Sequence, residues 1–184
     1  MITRPQAWDH INRLITNPNL VKHCLAVEAA MLAYAEHFQV SDQEKELWAV
    51  AGLIHDADYE KYPQQHPQVI IQWLRDHQAG EDLINAVAAH GFNFDIPANT
   101  LMAKTLRAVD ELTGLIIAVA LVKDKRLVNV SVESILKKWS KKEFAAGVNR
   151  EDIEKGAAEI NLPLEQHIQI VLKGLQDIAL KLGL

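Results

Sequence analysis

An all-α fold is the reading of this sequence, and three observations carry it. Apolar residues recur three and four positions apart through nearly every segment, the spacing that lines one face of a helix. Helix punctuation separates those segments in the form of capping residues, first-turn prolines and terminal glycines. No segment alternates convincingly with period two, and Arg126 to Val132 (RLVNVSV) is only a weak strand-like exception.

Taken in order, Pro5 suits the first turn of a helix running to about Thr16. Leu20, Cys24, Val27, Met31, Tyr34 and Phe38 form the stripe of a second helix. Ser41 and Glu44 make a capping-box pattern that opens a third, running to about His55-Asp56. Pro67 starts a fourth that ends near Gly80, and Glu81 to His90 makes a fifth that Gly91 stops. After the loop FNFDIPANT, a long helical pattern runs from about Thr100 to Lys123. Shorter helices follow at about Ser131 to Trp139, Lys141 to Ala146 and Arg150 to Ile160. The last opens at Pro163 and carries Leu164, Ile168, Val171, Leu175, Ile178 and Leu182 on one stripe. There is no repeat, low-complexity tract or long linker, so residues 1–184 are expected to form a single domain.

Composition narrows the functional classes. Of 184 residues, 49% are apolar and 23% charged, ordinary values for a globular chain. The net charge of -5 argues against general nucleic-acid binding, which needs basic surface. Cys24 is the only cysteine, which excludes an internal disulfide and favours a reducing compartment. The segment MITRPQAWDHINRLI is amphipathic rather than secretory in pattern. The longest apolar run, Leu115 to Val122, is far shorter than the roughly 18 residues of a membrane span. A cytoplasmic protein with no membrane partner is expected.

Function shows where costly polar groups interrupt apolar stripes. Asp110 shares one with Ala103, Leu106, Gly114 and Ile117. A carboxylate buried there must be protonated, paired or metal-bound. His90 follows Leu83 and Val87 on an apolar face, and His23 flanks Ala26, Val27 and Ala30. His55 follows Trp48 and Ala51, while Asp56 sits one turn beyond Gly52, a mid-helix glycine that could leave room near Asp56. Imidazoles and carboxylates together, without thiolates, suit Zn, Fe, Mn, Co or Ni rather than a structural zinc. An aspartate at position 56 could bridge two ions through its two oxygens.

The series His23, His55-Asp56 and Asp110 resembles the HD superfamily of metal-dependent phosphohydrolases. His66-Pro67-Gln68-Val69 is similar to the histidine that opens the next helix in six-ligand members, and His90 to the one that closes the helix after it. The match covers about residues 20 to 120, leaving about 125 to 184 as a helical extension. The segments His55 to Glu60 and Asp110 to Leu115 are also similar to the "HDxDYE" and "DELTGL" elements of small HD hydrolases. The resemblance implies an HD-domain helical bundle with additional C-terminal helices. It implies one ion on His23, His55, Asp56 and Asp110, and a second on His66 and His90 with Asp56 bridging. The implied activity is hydrolysis of a small phosphate ester, a nucleotide among the candidates, through metal-bound hydroxide. The alternatives are an HD-type di-iron oxygenase and a non-catalytic metal-binding regulatory module. The Ala57-Asp58-Tyr59-Glu60 sequence and the lack of a Gly-Tyr-Pro element set the chain apart from the cyclic-dinucleotide phosphodiesterases of the superfamily.

Other roles are assigned from position. Asp58 and Glu60, just past the His-Asp pair, are candidates to activate water or protonate a leaving oxygen, although an acidic loop explains them as well. Lys141, Lys142 and Arg150 are candidates for phosphate binding, with Lys104 and Arg107 as rivals one to two turns before Asp110. Glu111 could support the ligands or face solvent, and Thr113 could hydrogen-bond one of them. His10, His37, His77 and His167 are read as ordinary, and Cys24 as core. The C-terminal stripe could be a homodimer seam, but packing on its own domain is favoured.

Overall fold

The computed structural model describes residues 2–184, and among them there are ten α-helices, two short 3-10 turns and no strand. The helices are α1 (Arg4–Leu14), α2 (Pro18–His37), α3 (Asp42–Ile54), α4 (Gln68–Asp76) and α5 (Glu81–Ala88). They continue with α6 (Leu101–Leu121), α7 (Val132–Trp139), α8 (Arg150–Glu159), α9 (Leu164–Asp177) and α10 (Ala179–Leu182). No helix among the described residues is long and apolar enough to cross a membrane.

The two longest helices, α2 and α6, organise the rest. Helix α2 packs on α3, α9 and α6, while α6 also receives α5 and α8. Their shared core contains Tyr34, Met31, Leu53, Leu106, Leu112 and Ile116, all fully buried. The C-terminal stripe turns inward as expected: Ile168, Val171 and Leu175 are buried. His167 joins the layers, because its Nε2–H donates to the Ala108 carbonyl on α6 and its Nδ1 accepts from the Tyr34 hydroxyl on α2.

Caps begin the helices where the sequence suggests. Ser41 and Glu44 form the reciprocal box of α3, and Thr3 with Gln6 forms another at α1. Two expectations change, at Lys141 to Ala146 and at Gly52, while the weakly strand-like stretch agrees with the all-α reading. Lys141 to Ala146 forms turns rather than a helix, because Arg150 draws its carbonyls out of any helical ladder and Ala145 adopts φ 48°. Within Arg126 to Val132, a 3-10 turn at Leu127–Asn129 replaces any strand. Gly52 makes room for a helix, not for a ligand near Asp56: a Cβ there would lie 2.8 Å from Val27 O and 2.9 Å from Glu28 N and Cα. Only a glycine lets α3 approach the α2 backbone this closely.

Candidate metal centre

Five elements converge on one cleft. Helix α2 carries His23 in its first two turns, and α3 ends at Ile54, so His55 caps it and Asp56 follows in the turn. His66 precedes α4, His90 lies just beyond α5, and Asp110 sits midway along α6. His55 is fully buried and His90 nearly so, which makes the direction of each ring nitrogen decisive.

The backbone sets those directions. His55 Nδ1–H donates to Gly52 O at 2.8 Å, and His90 Nδ1–H donates to Val87 O at 2.6 Å. His66 Nδ1–H donates to Asp58 Oδ1, also at 2.6 Å. Each bond occupies Nδ1 and turns Nε2 toward the cleft. The Nε2 atoms come together in pairs: those of His23 and His55 lie within 3.2 Å, and so do those of His66 and His90. Ring nitrogens held that close need a proton or a cation between them.

The carboxylates complete two groups. His23, His55 and Asp110 form one, and Asp56, His66 and His90 the other, with all ligand atoms of each within 4.8 Å of one another. Asp110 Oδ1 lies 3.0 Å from His23 Nε2 and 3.5 Å from His55 Nε2. Asp56 stands between the groups. Its Oδ2 is 3.5 Å from His23 and 3.6 Å from His55, whereas its Oδ1 is 3.4 Å from His66 and 3.6 Å from His90. Burial opposes charge on His55, Asp56 and Asp110, yet attraction wins. The carboxylates of Asp56 and Asp110 raise the His55 pKa to about 9 against burial. Asp56 and Asp110 are held below the usual carboxylate range, again against burial, by His55 and the neighbouring imidazoles. Negative oxygens and imidazole nitrogens without thiolates fit a divalent ion in each group.

The cleft over these groups has a volume of about 450 Å³ and is lined by Tyr59, Phe92, Phe94, Arg107, Glu111 and Asp152 besides the ligands. Phe94 lies edge-on to His66 and His90 at 5.5 and 5.0 Å, and Tyr59 edge-on to His66 at 5.3 Å. Arg107 stacks over Phe92 at 4.2 Å and binds Glu159 through Nη2 at 2.6 Å. Its Nε–H is buried without a partner. Glu111 accepts from Asn149 N–H, and burial followed by the Asp110 charge raises its pKa. Thr113 donates to the Asp110 carbonyl rather than to a ligand side chain. The aromatic wall and Asp152 were not evident in the sequence. Two phenylalanines flanking one residue directly after His90-Gly91 were the available signal for the wall; Asp152 comes from α8 and had none.

Of the five candidate phosphate contacts, only Arg107 lines the cleft; Lys104, Lys141, Lys142 and Arg150 do not. Arg150 turns its guanidinium to the carbonyls of Trp139, Lys141, Phe144, Ala145 and Val148. Asp58 and Glu60 also face away from the cleft. Asp58 is fully buried behind His66, with Oδ2 accepting from Ile70 N–H at 2.9 Å. Glu60 accepts from Thr16 N–H at 3.0 Å and Asn17 N–H at 2.9 Å, closing the N-terminus of α2. Neither carboxylate is therefore placed to meet a substrate proton. His10 stacks on Trp73 at 4.0 Å, and His77 adjoins the same ring at 4.4 Å. Cys24 is buried core, and burial pushes its thiol pKa up. A groove of about 920 Å³ beside α2 and α9 is larger than the cleft, but it brings together no group of metal-ligating side chains.

Residues 20–115, just over half of the chain, match the family model of the HD domain. The chain belongs to the HD domain family. An HD domain is an all-α domain of the metal-dependent phosphohydrolase type, and both groups of ligands lie within the matched segment. No curated protein and no solved structure matches the chain. Metal-dependent, hydrolase-type chemistry is the activity that this HD domain suggests, and the two His/Asp groups are where a metal could be held.

Proposed function

We propose that this HD domain is a phosphohydrolase that holds two divalent ions and cleaves a small phosphate ester. The observation that carries the reading is the pair of facing Nε2 atoms, 3.2 Å apart in each group, with the two oxygens of Asp56 divided between them. His23, His55 and Asp110 would hold one ion and His66 and His90 the other, with Asp56 shared. Such ions supply Lewis acidity toward phosphate oxygens and a nucleophilic water at neutral pH.

The remaining side chains have work that follows from their placement. Arg107 lines the cleft and would bring its guanidinium charge to a non-bridging phosphate oxygen, while Glu159 and the Phe92 ring hold the guanidinium still. Phe94 and Tyr59 shield the His66 edge of the centre from bulk water. Asp56, Asp110, Glu111 and Asp152 bring four carboxylates to the cleft, whose charge the ions would offset where a phosphate binds.

The test is phosphate release from a panel of nucleotides and sugar phosphates by the metal-repleted protein under anaerobic conditions. Turnover without oxygen, lost in Asp56→Ala, is the expected result. Arg107→Ala should raise KM with metal content unchanged. Release undiminished in Asp56→Ala would refute the catalytic assignment, and turnover that requires oxygen would replace it with the di-iron oxygenase reading.

A further inference from the structure

The two groups of ligands are not equivalent. The first has its own carboxylate, Asp110, and shares Asp56; the second has only its share of Asp56 beside two imidazoles. Histidines in both groups point their Nδ1–H at something, but the partners differ. His55 and His90 donate to the backbone carbonyls three residues earlier, whereas His66 donates to a carboxylate. That carboxylate, Asp58, is fully buried, accepts from Ile70 N–H through its other oxygen, and lines no part of the cleft.

We infer that Asp58 is the positioning residue of the second ion: it locks His66 with Nε2 unprotonated and lends a negative charge that the second group otherwise lacks. The inference rests on the two-ion reading above. A carboxylate behind a ligating imidazole raises its basicity and fixes its tautomer, and loss of such a partner typically weakens metal binding by about 10–100-fold.

Asparagine is the informative substitution because it is isosteric and cannot serve both contacts. Asp58 accepts two hydrogen bonds, from His66 and from Ile70, while an amide has only one accepting atom. If its oxygen keeps the Ile70 bond, its NH₂ faces His66 Nδ1. The ring must then carry its proton on Nε2, where it blocks coordination. The competing role for Asp58 is purely architectural: it could simply close the first turn of α4, whose N-cap, Pro67, makes no side-chain cap bond. The two roles separate by experiment.

Calorimetric titration with Mn²⁺ should give two ions in the wild type, and in Asp58→Asn an unchanged first ion with the second weakened about 10–100-fold. Electron paramagnetic resonance should show the coupled Mn²⁺ pair only in the wild type at matched metal concentrations. Two ions of unchanged affinity in the variant overturn the inference and leave the two-ion reading intact, as does equal weakening of both ions in a folded variant. A wild type that takes up fewer than two ions overturns the reading itself, and the inference with it. Should Asp58→Asn fail to fold, nitrogen-15 correlation spectra of the His66 ring in the metal-free wild type decide the matter. The Nδ1–H tautomer is expected, and an Nε2–H tautomer overturns the inference.

Discussion

Replacing Gly52 by alanine sets two physical effects against each other. Helix propensity alone makes the variant more stable by about 1 kcal/mol, because Gly52 lies inside α3. The packing says the opposite. The new Cβ would sit 2.8 Å from Val27 O and 2.9 Å from Glu28 N and Cα, where contacts between carbon atoms are ordinarily about 3.5–4.0 Å. All three neighbours are backbone atoms of α2, so no side chain can rotate away and the helices must separate by roughly 0.5 Å or more. Overpacking of this kind costs about 1–3 kcal/mol, and a clash with rigid backbone belongs at the upper end. The net expectation is a loss of about 1–2 kcal/mol, or a melting temperature lower by about 2–8 °C for a chain of this length. The displacement also reaches the site, since α2 carries His23, α3 ends at His55, and Gly52 O receives the His55 Nδ1–H. Urea unfolding of the metal-free protein measures the first effect, and a metal titration the second. A Gly52→Ala protein as stable as the wild type, or more so, would refute the account of how α2 and α3 meet.

Further predictions concern residues outside the ligand set. Burial lowers the His167 pKa to about 4, against about 6.5 in an unfolded chain, so the folded form binds fewer protons between those values. The stability this creates is present above about pH 6.5 and is lost as pH falls toward 4, by about 2–3 kcal/mol at pH 4.5. His167→Gln should therefore flatten the acid side of the stability profile measured by urea midpoints in metal-free protein; an unchanged slope would contradict it. Glu60→Gln should lower the unfolding midpoint through the weakened α2 terminus while leaving metal content and turnover unchanged, whereas a collapse of kcat would restore a catalytic role. Arg150→Ala should speed hydrogen exchange across Lys141 to Val148, whose carbonyls it binds, and leave KM alone; a raised KM would return it to the substrate site.

How much was legible depended on whether the signal was periodic. The ligands stood out because His55, His90 and Asp110 occupy positions on apolar stripes that solvation cannot explain, and helical periodicity reports such conflicts directly. Asp58 and Glu60 follow in irregular turns, where no period fixes the direction of a side chain. One faces inward behind His66 and the other back toward α2. Arg150 looked like a free cation because its partners are backbone carbonyls, which leave no trace in composition. Asp152 joins the cleft only through the packing of α8 on α6, a contact between distant segments. Gly52 announced a close approach without saying to what.

The claim on which the account turns is that Asp56 serves two ions at once. Metal content per chain, measured after repletion with Mn²⁺ or Zn²⁺ and removal of the excess, tests it most directly in the wild type and in Asp56→Ala. Two ions in the wild type and at most one in the variant is the predicted result. A wild type that retains fewer than two, or a variant that still retains two, would contradict it.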